Sequence, residues 1–203
     1  VAAIDVVRFE AAQRDQAAEM LARAFREDPI YTALFSDPDE LHRSTRSLWR
    51  GVLKYCLMFG EVYTTPDVKG AAAWVCPGND MNLWRTIRSG FAMMRAVAPW
   101  SRDARGRLLN TLGPLDAIHK QVVQEPHWYL WVLGVDPGAQ GQGIGGKLVA
   151  PVLDRADRDG TPCYLETETE WNVAFYRRRG FEVVHEAVVP GETFTMWSML
   201  RKA

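Results

Sequence analysis

From Val135 to Ala156 the sequence reads VDPGAQGQGIGGKLVAPVLDRA, and the GQGIGG within it sets glycines at 141, 143, 145 and 146 just ahead of an apolar-periodic run. That spacing suits the binding of an anion. Glycines remove the Cβ atoms that block close approach, and the unpaired N–H groups of a helix's first turn converge with the positive end of its dipole on one point. Lys147 adds a positive charge beside them. Three kinds of phosphate site use such a turn. A dinucleotide turn is G-x-G-x-x-G at the end of a strand, with an acidic residue about 20 positions later. Gly141, Gly143 and Gly146 fit those letters, and Glu166 lies 20 positions after Gly146. Yet DPGAQ, residues 136–140, separates Val135 from Gly141, and only 37 residues follow Glu166, too few for the further βαβ units of a dinucleotide crevice. A P-loop needs Lys followed by Ser or Thr, and Lys147 is followed by Leu148. What remains is a loop that grips the pyrophosphate of coenzyme A, with Gln140, Gly141, Gln142, Gly143, Ile144, Gly145, Gly146 and Lys147 as its candidate residues.

Such a turn must be held between a strand and a helix. HWYLWVLGV, residues 127–135, is an apolar run of strand length and reads as a buried central strand. After the glycines, Ile144, Leu148, Val149, Val152, Leu153 and Ala156 recur at helical spacing up to Asp159-Gly160. A kink is expected at Pro151, which has no N–H for the Lys147 carbonyl. Residues 162–166 then form a strand parallel to the first, closing a right-handed βαβ unit. Thr169 caps a helix over 171–179 that stops at Gly180, and strands over 181–189 and 193–200 close the chain around Pro190-Gly191. Upstream come a short strand at 6–9, a helix over 16–26 stopped by Asp28-Pro29, a helix over 39–59 and a hairpin of strands 61–65 and 71–76. Helical regions follow over 80–98 and 101–123, separated at Pro99, the second open to a break at Gly113-Pro114.

Composition narrows the partners. The 24 Lys and Arg against 25 Asp and Glu leave a formal charge of −1, so no overall pull toward nucleic acid or membrane is encoded and any anion site must be local. Cys56, Cys76 and Cys163 are widely spaced, with no CxxC and no His cluster near them, which argues against a disulfide framework and a metal site. No apolar run is long enough to span a bilayer, and a cytoplasmic location is expected.

Gln140, Gly143 and Gly145 as Q-x-x-G-x-G, then Asn172 and Tyr176 as N-x-x-x-Y, then Gly180-Phe181, in this order and on these elements, resemble the GCN5-related N-acetyltransferase family. The resemblance implies an α/β fold with a central mixed sheet of about seven strands flanked by helices, one domain over 1–203. Residues 1–125 would carry acceptor-binding elements and 126–203 the acetyl-CoA-binding and catalytic half. It implies a splayed strand pair with the pantetheine arm in the gap, bonded by backbone groups of Leu133, Gly134 and Val135. It implies Tyr176 as the acid for the leaving thiolate, Asn172 and Phe175 at the coenzyme, and a small-molecule primary amine as acceptor in a monomer or homodimer, with no metal. Glu166, at the C-terminal end of a parallel strand, is the first candidate base, with Glu168, Glu61, Glu125, His127 or a water chain as alternatives. Tyr31, Phe35, Trp74, Trp128 and Tyr129 are candidate walls of the acceptor pocket. YLET, NVAFYRRRGF and the closing W-S-M-x-R-K resemble in particular members that acetylate an aminonucleoside antibiotic. A coenzyme A binding module without catalysis and a protein acetyltransferase stay open beside this reading.

Overall fold

In the computed structural model, which describes residues 4–202 apart from residues 80, 190 and 192 and the side chain of Leu112, the strand-length apolar runs join into one sheet. Its strands are β1 (Val7–Arg8), β2 (Gly60–Thr64), β3 (Gly70–Val75), β4 (Trp128–Val135), β5 (Cys163–Thr167), β6 (Glu182–Val188) and β7 (Thr195–Arg201). They lie in the order β1-β2-β3-β4-β5-β7-β6. β4 and β5 run parallel, whereas the other neighbours are antiparallel, so the sheet is mixed and seven-stranded as expected. β7, not β6, pairs with β5.

Helices cover both faces. α1 (Arg14–Ala24) and α3 (Pro38–Phe59) bury Ala17, Leu21, Leu53 and Tyr55 against one face, in a core that also takes Val62, Ala73 and Val132 from the sheet. α7 (Ile144–Asp159) buries Leu148, Val149 and Val152 against the other, beside Trp74, Leu130 and Leu165. Each such fully buried Leu or Val stabilises the fold by about 1.5–3 kcal/mol relative to exposure. α8 (Glu170–Arg177) joins this second core through Val173 and Tyr176. Thr169 caps it, its side chain accepting from the Asn172 N–H at 3.2 Å.

Several elements depart from the sequence pattern. Asp28-Pro29 does more than stop a helix: α1 ends at Ala24, and Asp28 caps a new helix α2 (Pro29–Leu34) by accepting from the Ile30 N–H at 3.0 Å. An Asp before Pro is a start signal as well as a stop. The region expected as one helix over 80–98 is two, α4 (Leu83–Arg88) and α5 (Ala92–Val97), because Gly90 and Phe91 both take left-handed backbone, at φ 66° and 56°. By contrast α6 (Arg102–Val122) runs unbroken through Gly113-Pro114. Pro114 and Asn110 are exposed, so water can satisfy the carbonyl that loses its partner. α7 holds Pro151 within its length, as the sequence reading placed it. The expected helix start at Asp80 and the proline of the Pro190-Gly191 turn lie outside the described residues.

One irregularity shapes the centre of the sheet. Ala73 pairs with Val132 and Trp74 with Leu130, so Trp131 is an extra residue in β4 opposite none in β3. Such a bulge resets the two-residue alternation. Trp128 and Leu130 pack on the α7 face, Trp131 and Val132 both on the α3 face, and Leu133 and Val135 on the α7 face again.

Candidate active site

The glycine turn leaves β4 in a defined path. The Asp136 carboxylate accepts from the Gly138 N–H at 3.1 Å across a short 3-10 turn, and Gln140 Nε2 donates to the Val135 carbonyl at 3.2 Å. Gly141 and Gly143 have φ of 76° and 85°, a region that L-residues with a Cβ avoid. Gly143 stands at the N-cap of α7 with no capping side chain, and the Lys147 N–H returns to the Gly143 carbonyl at 3.3 Å. The N–H groups of Ile144, Gly145 and Gly146 therefore have no acceptor within the helix and point out of its N-terminus. Exposed Gln142 and Lys147 flank it.

The four glycines divide by role. Nothing lies within 4 Å of a Cβ added at Gly141, so there the backbone conformation, not space, demands glycine. A Cβ at Gly145 would press on the Phe175 ring at 3.4 Å, and one at Gly146 would collide with the Arg179 guanidinium. These two glycines admit α8 against α7, with Arg179 stacked 3.5 Å over the Phe175 ring. Gly134 is a packing glycine too, since its Cβ would lie 2.5 Å from Leu21 Cδ2.

Beside the turn the sheet opens. β4 and β5 pair only at Trp128↔Cys163 and Tyr129↔Tyr164. Beyond that rung β4, with Leu133, Gly134 and Val135, is paired to β3, while β5 through Thr167 is paired to β7. A wedge-shaped gap thus opens at the C-terminal end of two parallel strands, adjoining the N-terminus of α7. An extended thioester arm ending in a pyrophosphate fits this pairing of an unpaired strand edge with an amide-lined helix end.

At the closed end of the gap, Tyr129 Oη donates to Glu166 Oε2 at 2.5 Å. Burial pushes the Glu166 carboxyl up to about 7, with Asp116 adding to the rise and the hydroxyls of Tyr129 and Tyr164 opposing it. Tyr164 carries the imidazole of His119 stacked on its ring at 4.1 Å. The Nε2 atoms of His119 and His127 are 2.6 Å apart, and His127 Nδ1 lies 2.8 Å from the Glu125 carbonyl oxygen, so both histidines are tied into α6 and the segment that follows it.

Two residues beyond Glu166, the side chain of Glu168 hydrogen-bonds that of Asp28 at the cap of α2. Burial first, then the negative charge of Asp28, holds the Glu168 carboxyl well above the usual range. Tyr31 and Tyr176 stand by this pair, and burial raises both phenols well above their ordinary value. Tyr176 packs edge-on to Phe175 and Phe181, at 5.0 and 5.7 Å. Asn172 lies one helical turn before Tyr176 on the same face of α8.

The remaining candidates are placed elsewhere. Trp74 and Trp128 belong to the core on the α7 face, Trp128 with the Arg155 guanidinium 5.6 Å over its ring. Phe35 packs on Trp100 at 5.0 Å and borders a cavity of about 260 Å³, with Arg26, Thr32 and Leu41, that includes neither Glu166 nor the glycine turn. Of the five aromatic residues expected around an acceptor, Tyr129 bonds the Glu166 carboxylate, and Tyr31 lies near enough to Asp28 and Glu168 for their charge to raise its phenol further. Glu61 is held by Arg155 at 2.6 Å and Arg8 at 2.5 Å, which keep it low despite its burial. Asp28, Tyr164 and His119 were not singled out by the sequence; the one signal, Asp before Pro, speaks for a helix cap. Among the described residues no group of His, Cys, Asp or Glu side chains is arranged to hold a metal ion, and no helix is long and apolar enough to cross a membrane.

Comparison with known proteins agrees with this geometry. The model of the acetyltransferase (GNAT) family matches residues 106–181, from α6 through the glycine turn to α8. An uncharacterized N-acetyltransferase of Schizosaccharomyces pombe is 30% identical over 181 residues, covering 86% of this chain and 72% of that protein. A mycothiol acetyltransferase of Streptomyces avermitilis is 35% identical over 140 residues, 60% of this chain but 45% of the relative's length. Among solved structures, a histone acetyltransferase HPA2 and related acetyltransferase of Corynebacterium glutamicum superposes with a TM-score of 0.70 at 20% identity, over 100% of this chain and 98% of the other. The polyamine N-acetyltransferase of Drosophila melanogaster does so with 0.66 at 14% identity, over 99% and 100%. At such identities the structures speak for the fold alone. The sequence match extends over most of a relative, and on that ground the chain belongs to the GNAT family of N-acetyltransferases, enzymes that use acetyl-CoA as co-substrate.

Proposed function

We propose that the protein transfers the acetyl group of acetyl-CoA to the primary amine of a small, amphipathic molecule by direct transfer in a ternary complex. The observation that carries this is the convergence, at one gap in the sheet, of the α7 N-terminus, the free edge of β4 and the Tyr129–Glu166 pair. Backbone N–H groups of residues 143–146 hold the pyrophosphate, with Gln140, Gln142 and Lys147 around it, and Leu133, Gly134 and Val135 line the arm. Asn172 and Phe175 border the coenzyme from α8. When bound, acetyl-CoA supplies an activated thioester carbonyl. Glu166 accepts the proton of the attacking amine at its carboxylate; a base poised near neutrality is half ionised there and still a useful acceptor. Tyr176 keeps its proton at neutral pH, because burial disfavours the phenolate, and gives it to the departing thiolate.

The acceptor class rests on resemblance. The residues from 126 onward, with YLET, NVAFYRRRGF and W-S-M-x-R-K, are similar to puromycin N-acetyltransferase, which supports an aminonucleoside or amino-acyl antibiotic as acceptor. Fold neighbours named for acetylating agmatine and polyamines support a small amine. The experiment is incubation with acetyl-CoA and puromycin, a panel of small amines, or a lysine-rich peptide, read by thiol release and mass spectrometry. Acetylation of a small amine is expected. Preferred modification of the peptide overturns the small-molecule reading, and turnover of another amine but not puromycin overturns the aminonucleoside alone.

A further inference from the structure

One row of side chains crosses the sheet from the proposed base to its edge. Glu166 on β5 stands opposite Ser198 on β7, and Ser198 stands opposite His185 on β6, the last strand of the sheet. Directly opposed residues share a face, with Cβ atoms about 4.5–5.5 Å apart, so the three side chains stand next to one another. A bulge brings His185 into the row. Val183 pairs with Met199 and His185 with Ser198, so Val184 is an extra residue in β6, and His185 is turned from the face of Val183 to that of Ser198. α6 covers this face, where its Leu115 packs with Met196 and Val189.

The middle of the row holds polar atoms that lack partners. Ser198 is 1% exposed, and Tyr164, two residues before Glu166 on the same face of β5, is 0% exposed. Among the described residues neither Ser198 Oγ nor Tyr164 Oη closes a hydrogen bond within ordinary geometry, yet Ser198 lies near enough to favour ionisation of the Tyr164 phenol and Glu166 near enough to oppose it. Buried hydroxyls are nearly always paired. A hydroxyl both donates and accepts, so two of them set between a carboxylate and an imidazole pass a proton either way by reversing their O–H bonds. At one end Glu166 is partly buried where β4 and β5 part; at the other His185 is partly exposed on the edge strand.

We propose that Tyr164, Ser198 and His185 form the route by which the proton taken up by Glu166 leaves the protein. The need follows from the reaction: an ammonium acceptor that becomes an amide loses two N–H protons, of which the thiolate takes one and the other must reach water. With coenzyme and acceptor filling the gap, the open side of Glu166 is covered. The Glu166 carboxyl then donates its proton to Tyr164 Oη, the Tyr164 proton passes to Ser198 Oγ, and the Ser198 proton passes to a ring nitrogen of His185. Glu166 is a carboxylate again, both hydroxyls are restored, and the His185 imidazolium gives its proton to water. An imidazole takes up and releases a proton near neutrality, which suits it to the outer end. The route deepens the acetyl-transfer reading and rests on it, since it needs Glu166 as the base.

The test is acetylation of puromycin and of agmatine by the whole chain at pH 8, read by thiol release and mass spectrometry. It is followed as a first turnover on chain preloaded with acetyl-CoA and as steady-state turnover in weak buffer. His185→Ala and Ser198→Ala are each expected to keep the parental first turnover, since above 7 Glu166 starts ionised, and to lose about 10-fold or more in steady state. Ser198→Ala removes a hydroxyl with no partner and keeps the fold. Added 1,2-dimethylimidazole, a proton carrier too hindered to attack the thioester, restores His185→Ala to within about 2-fold of the parent and leaves Ser198→Ala low, because that break is buried. A His185→Ala with parental steady-state turnover, or one that the imidazole does not restore, overturns the route, as does a Ser198→Ala with parental turnover or with a loss already present in the first one. Acetylation of neither amine by the parent counts against the acetyl-transfer reading itself, whereas a parent that turns over beside variants that match it counts against the route alone.

Discussion

Tyr129 stands opposite Tyr164 on the last rung at which β4 and β5 still pair, and its phenol donates to the carboxylate of Glu166, two residues further along β5, at 2.5 Å. The strands separate immediately beyond that rung. Glu166 is thus held at the point where the gap closes, and the hydrogen bond partly offsets the burial that raises its carboxyl to about 7.

Removing that hydrogen bond has a direction. In Tyr129→Phe the carboxyl loses a group that favours its ionised form, so its pKa moves higher still. A base works only when ionised, and the ascending limb of kcat against pH, near 7 in the parent, is expected to move to higher pH with the plateau retained. A limb that stays in place would assign proton removal to a water chain.

Stability carries the same signature. A Glu with an ordinary value of 4.5 that sits at about 7 when folded binds its proton more tightly in the folded state, so its contribution is fully present below 4.5 and is lost as pH rises through 7. Glu166→Gln has no such loss. It is expected to melt progressively above the parent from pH 5 to pH 8, by at most about 3 kcal/mol at the upper end. A gap that does not change with pH between the two melting curves would contradict the raised value.

How much of this was legible in the chain depends on whether the cause is local. The turn at 140–147 could be read because backbone amides at a helix start, and glycines with positive φ, leave a mark in the letters. The separate reasons for Gly145 and Gly146 could not, because they depend on Phe175 in α8 and Arg179 just past its end, about thirty residues away. The bulge at Trp131 left no mark either, and it decides which face the end of β4 presents: strict alternation along β4 places Trp131 and Leu133 on one face, and the extra residue puts them on opposite ones. Asp28 was read as a helix stop because its partner is 140 positions away in sequence. Pairings between loops follow from tertiary approach, and neither periodicity nor spacing encodes them.

Tyr176→Phe removes one oxygen from a side chain wedged between Phe175 and Phe181, so the packing that orders α8 is kept. Turnover is expected to fall about 100-fold, the usual scale of acid–base assistance, with coenzyme A affinity unchanged. Acceptors whose acetylation releases the thiol in a fast step, separated by single-turnover measurement, place the loss in the transfer step itself. A variant with parental turnover would make Tyr176 a packing residue.

Gly143→Glu tests the anion grip at its centre. Gly143 has φ 85° at the N-cap of α7, so any side chain there is strained, at a cost of about 1 kcal/mol in stability. Space is open around it, with Ile4 Cδ1 the nearest atom at 4.0 Å, so the fold has room for the longer residue. The new carboxylate would stand among the N–H groups of residues 144–146 and occupy them as an N-cap, in competition with pyrophosphate and of the same sign. Acetyl-CoA affinity, measured by calorimetry, is expected to fall at least about 10-fold, and to fall less in Gly143→Ala, which carries the strain without the charge. Equal losses in the two variants would assign the effect to backbone strain, and unchanged affinity in a folded Gly143→Glu would return GQGIGG to being a plain helix start.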